Sequence, residues 1–174
     1  MFGLPRRYER VGFVLYGHAV EAARAPFLYR ELGVPDTLDG RFDLIGLFAF
    51  LLVRRLEAEP PAGHRLAQAV FDAMFSDMDV NLREMGVGDL SVGKRVKAMW
   101  EAFHGRSAAY AAALAAGDDA ALEAALARNV WRGRPEAGAP AALARLVRAE
   151  DRHLAGQPFA AFASGAACFR AARA

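Results

Sequence analysis

The chain has 174 residues, 55% of them hydrophobic, with a formal net charge of +2. That length suits one domain with a sizeable core. Its single cysteine, Cys168, excludes an internal disulfide and fits a buried thiol in a reducing compartment.

The N-terminal stretch MFGLPRRYER is charged and lacks the long apolar run of a secretory signal. A first helix is predicted from Tyr8 to Arg24, with Val11, Val14, Leu15 and Ala19 on its inner side. Gly12 and Gly17 weaken it and allow close packing. His18 lies in this helix without a second ligand at metal-binding spacing. Pro26 opens a short helix to Leu32, and Gly33 ends it. A turn, Val34 to Gly40, carries a capping candidate in Asp36.

Phe42 to Leu56 is apolar nearly all round, which predicts a central buried helix. Its apolar run, Leu44 to Val53, has ten residues, whereas a membrane span needs about 20. Arg54 and Arg55 suit its C-terminal dipole. A Pro-Pro-Ala-Gly loop follows, and the next helix begins near His64. Its apolar stripe is Phe71, Met74, Phe75, Met78, Leu82 and Met85. Gly86 and Gly88 stop it. Asp89 and Ser91 are N-cap types for a second helix whose inner face is Val92, Val96, Met99, Trp100 and Phe103.

That helix continues to Ala116, where Gly117 stops it. Asp118 or Asp119 then caps a helix to about Trp131. After a break from Gly133 to Pro140 come a helix from Ala141 to Leu154 and a small apolar tail helix beyond Pro158. Neither strand-like alternation nor an internal repeat is present. The expected fold is all-α: one domain, 1–174, a bundle of about seven or eight helices around a central buried one.

Chemistry-bearing patterns are few. Gly88-Asp89-Leu90-Ser91-Val92-Gly93-Lys94 has the spacing of a phosphate-binding loop. Arg95 stands where that loop needs Ser or Thr for Mg²⁺, and the lead-in reads as helix rather than strand. Asp77 and Asp79, two apart on one helix, project about 160° from each other and cannot share an ion. Asp79 and Arg83 form a favourable i,i+4 pair. Four scattered histidines and one cysteine show no nucleophile–base pairing. No catalytic residue, cofactor or metal is expected.

Charge is uneven along the chain. Residues 1–90 carry 10 basic and 13 acidic side chains (−3), and residues 91–174 carry 12 and 7 (+5). The basic half would suit an acidic partner, RNA or lipid headgroups, or form an ordinary solvated surface. Lys94 and Lys97, the only lysines, fall opposite Val92, Val96, Met99 and Phe103. They are either solvated charges or a docking surface for an acidic partner. Val80 also points away from the apolar stripe.

Two segments carry a resemblance. SDMDVNLREMGVGDLSVGKRVKAM and FLYRELGVPDTLDGRFDLIGLFAFLLVRRL closely resemble the ubiquinol–cytochrome c chaperone family, whose mitochondrial members help assemble the cytochrome bc1 complex. The resemblance spans roughly Pro26 to Tyr110 and thins out afterwards. Phe48 departs from it near a position where many members have histidine, so packing suffices there. The resemblance implies a non-enzymatic assembly factor that binds newly made cytochrome b or another bc1 subunit. It also implies ribosome association and a small partner subunit, as in mitochondria; DNA is not among the partners. Contact residues proposed on its motif are Asp77, Asp79, Arg83, Glu84, Asp89, Lys94 and Lys97. The expected location is cytoplasmic, with peripheral contact at the inner face of the cytoplasmic membrane. Alternatives are a small helical enzyme acting on a lipid or quinone and a ribosome- or RNA-binding helical module.

Overall fold

The computed structural model describes residues 6–170. Among them are eight α-helices: α1 (Arg6–Ala23), α2 (Pro26–Arg30), α3 (Leu38–Glu57), α4 (Ala62–Glu84), α5 (Asp89–Ala116), α6 (Asp119–Val130), α7 (Ala139–Ala155) and α8 (Phe159–Ser164). No strand occurs among the described residues, in keeping with the all-α expectation. No described helix is long and apolar enough to cross a membrane.

α3 is the hub. Leu44, Leu47, Phe48, Leu51, Leu52 and Leu56 are essentially without exposure, because an apolar helix face on every side can be satisfied only by surrounding helices. α1 and α4 pack on it and on each other, while α5, α6 and α7 also contact it. The start of α3 is fixed by Thr37, whose hydroxyl accepts the Gly40 N–H at 3.2 Å. Asp36 was the expected cap. Its carboxylate instead pairs with Arg41 at 2.6 Å, which leaves the orphan amides to Thr37.

Gly12 lets two helices cross closely. A Cβ placed there would sit 2.6–2.7 Å from atoms of Ala69, so α1 and α4 cross backbone to backbone. Gly17, its expected companion in close packing, has nothing within 4 Å of the corresponding point. Val14, expected to face inward, is largely exposed and borders Gly165 after α8.

Arg54 and Arg55 do more than complement a dipole. Arg54 pairs with Asp151 on α7 at 3.1 Å. Arg55 donates to the carbonyls of Leu154 and Gln157, fastening the end of α3 to the α7–α8 turn. Beyond α8 the chain is held by a two-point clasp. The Gln157 amide donates to the Cys168 carbonyl at 2.9 Å and accepts the Cys168 N–H at 3.1 Å. This places the Phe169 ring edge-on to Phe48, with centroids 5.2 Å apart, and gives Phe48 the packing role expected of it. Cys168 itself is only half-buried, less enclosed than expected, because Phe169 fills the adjoining core slot.

Candidate functional site

Exposed large apolar side chains mark the hairpin of α4 and α5: Val80, Met85 and Trp100. α4 ends in a glycine cap: Gly86 takes φ +81°, and the N–H groups of Gly86 and Val87 reach back to the carbonyls of Arg83 and Leu82 at 2.9 and 3.1 Å. This is the arrangement by which a left-handed glycine satisfies the last carbonyls of a helix. The expected caps of α5, Asp89 and Ser91, do not cap it. Gly88 holds that position without a side-chain hydrogen bond, Asp89 is the first helical residue, and Ser91 lies within the first turn. The turn ends one residue earlier than residue type indicated because extended Gly88 supplies the carbonyl to which Ser91 and Val92 donate.

The inner stripe of α4 holds for Met74, Met78 and Leu82, which are buried, while Phe71 and Phe75 are partly buried. Met85 is 49% exposed, since α4 has already ended there. On α5, Val92 and Phe103 are buried, but Trp100, expected inside, is 42% exposed. It leans on the His104 ring at 4.1 Å, which in turn stacks on Phe71 of α4 at 5.7 Å. Only part of the inner face of α5 meets the core, so Trp100 is left at the rim of a groove beside α4.

The proposed contact residues do not form one cluster. Asp77 turns inward and accepts the Tyr16 hydroxyl of α1 at 2.7 Å. Burial and this hydrogen bond push the Tyr16 phenol far above its ordinary range. Asp79 turns the other way and pairs with Arg83 at 2.6 Å, as their i,i+4 spacing predicts. Glu84, Lys94 and Lys97 are exposed, and Lys97 approaches Glu101 at 3.8 Å. The Asp89 side chain lies outside the described ones. Gly93 and Lys94, at the end of the phosphate-loop spacing, are interior residues of α5, so that segment is helix and not a loop around an anion. No group of three metal-ligating side chains occurs among the described residues.

A second feature, along α5 from Arg95 to Tyr110, escaped the sequence reading. A cavity of about 300 Å³ lies between the first half of α3, the end of α4 and α5. Its walls are mainly apolar: Phe42, Leu47, Met78, Leu82, Met99 and Phe103. At one end Asp43, only 7% exposed, is bound by Arg106, and Arg132 lies 2.8 Å from its other oxygen without hydrogen-bond alignment. Burial raises the Asp43 carboxyl above its usual range, outweighing the pull of the two arginines. Arg132 follows α6 in a left-handed conformation, φ 54°, uncommon for a side-chain-bearing residue. Nearby Tyr110 is pushed up to about 12 by burial. The signal in the sequence was Asp43 itself, an acid within a helix buried on all sides, which requires a cationic partner.

Comparison with known proteins places these features in context. The model of the ubiquinol–cytochrome C chaperone family matches residues 30–170. The crystal structure of the Cbp3 homolog from Brucella abortus superposes with a TM-score of 0.85 at 36% identity, covering 97% of this chain and 93% of that one. Ubiquinol-cytochrome-c reductase complex assembly factor 1 of Xenopus laevis is 25% identical over 116 residues, 67% of this chain. The chain spans 58% of the length of that frog relative.

Proposed function

The chain belongs to the ubiquinol–cytochrome c chaperone family, and from that premise we propose that it is an assembly chaperone of the cytochrome bc1 complex. In this reading it binds newly made cytochrome b through the exposed face of the α4–α5 hairpin and acts without turnover. The observation that carries it is the incomplete burial of that hairpin. Val80 and Met85 are each 49% exposed, and Glu84, Lys94 and Lys97 of the same hairpin are exposed as well. An apolar element ringed by charge is the surface a helical membrane client would need before its own partners arrive. Burying client surface there contributes about 25 cal/mol per Å² before ordering costs. The family link supports the client class, and the whole chain serves as one such domain, working in the cytoplasm against the inner membrane face.

Two experiments test this. Deleting the protein lowers the amount of assembled bc1 complex while cytochrome b transcription stays normal. Crosslinkers placed at positions 80 and 85 capture cytochrome b from cells that are making it. Normal complex levels in the deletion strain would defeat the assembly role. Crosslinks confined to other subunits would remove cytochrome b as the client.

A further inference from the structure

We infer that the cavity between α3, α4 and α5 binds an anionic amphiphile with a single alkyl chain, the chain held between Phe42, Leu47, Met78, Leu82 and Met99 and the acidic headgroup at Arg95. The inference stands independently of the assembly role.

Size limits the occupant. The cavity holds about 300 Å³, at the lower end of small-ligand pockets. An α-helix with its side chains is about 10 Å wide, a poor match for a cavity of this size, whereas a flexible alkyl chain suits it. Two of the wall residues are methionines, whose unbranched side chains adapt to a chain without fixed shape.

Charge selects the headgroup. Three arginines (Arg95, Arg106, Arg132) and two aspartates (Asp39, Asp43) line the cavity, which leaves one positive charge in excess. Asp43 is engaged by Arg106 and Arg132, and Asp39 stands 3.8 Å from Arg132. Arg95 is exposed and makes no hydrogen bond or ion pair among the described residues. The unmatched charge is therefore a guanidinium at the mouth of an apolar cavity, a group that pairs well with carboxylate or phosphate oxygens. A neutral chain would gain the apolar contacts but leave Arg95 unmatched, and a cationic one would be repelled.

The test uses the purified full chain and dansylundecanoic acid as a fluorescent probe, below its micelle threshold. Saturable binding of one probe per chain is expected, with displacement by laurate. Dodecanol should need at least tenfold higher concentration than laurate. Ala102→Phe and Met99→Trp fill the cavity from α5 and should each abolish binding while circular dichroism confirms a folded chain. Arg95→Glu should weaken laurate at least tenfold, and Arg65→Glu, exposed at the opposite end of α4 from the cavity, should not. Non-saturable uptake, equal displacement by dodecanol and laurate, or unchanged binding in both folded cavity-filling variants would overturn the inference. Laurate binding is read in vitro and bc1 assembly in the deletion strain, so either idea can fail alone.

Discussion

The hydroxyl of Tyr16 on α1 donates to the Asp77 carboxylate on α4 at 2.7 Å, joining two helices that also cross at Gly12 and Ala69. A residue placed on the family motif as a contact is thus spent, at least in part, on holding the bundle together. Tyr16→Phe should destabilise by about 1.5–3 kcal/mol, the range for a hydrogen bond to a charged group. Asp77→Ala should cost at least as much, because it strands a buried hydroxyl. Urea unfolding measures both. If Asp77 also contacts a client, Asp77→Ala lowers crosslinking well beyond Tyr16→Phe at matched stability.

Reversing Lys94 and Lys97 together to Glu should leave the melting temperature nearly unchanged, within about 0.5 kcal/mol. Both are exposed, and the Lys97–Glu101 pair is a weak solvent-facing one. Crosslinking to cytochrome b should fall. Unchanged crosslinking would assign both lysines to solvated charge.

Asp43 predicts a pH effect of unusual sign. Its folded-state pKa lies above the ordinary 3.8, so between those values the folded protein binds more protons than the unfolded one. The Asp43 contribution is therefore fully present below 3.8 and is lost as pH rises through the folded value. The stability of the natural chain relative to Asp43→Asn should fall as pH rises through that window and then level off. A difference that instead grows with pH would show that Arg106 and Arg132 outweigh burial.

The two glycines of α1 should respond oppositely to alanine. Gly12→Ala forces a methyl into Ala69 and should cost about 1–3 kcal/mol as the helices part. Gly17→Ala meets open space and should stabilise by about 0.5–1 kcal/mol through helix propensity alone. Thermal melts of the two single variants decide it, and equal signs would contradict the packing at Gly12.

Helices were legible because glycines punctuate them: Gly33, Gly86 and Gly117 all take positive φ at helix ends. What was not legible was competition among neighbours. Asp36 had the right type for a cap, but Arg41 claimed it. Asp89 likewise lost the cap to Gly88, whose extended backbone begins the helix one step earlier. Periodicity placed Trp100 inside because it reports which face is apolar, not how much of that face finds a partner. Phe103 met α3 and Trp100 met only rings. The cavity was beyond local reading for another reason. Asp43, Arg106 and Arg132 come from three separate parts of the chain, and no spacing rule connects them.

The clasp between Gln157 and Cys168 also bears on protein synthesis. A ribosome that stops short of Phe169 releases a chain with an open slot beside Phe48, at the centre of the molecule. That ring is among those the core needs most. Incomplete copies therefore differ from finished ones in their interior, where proteases that survey loosely packed chains can tell them apart.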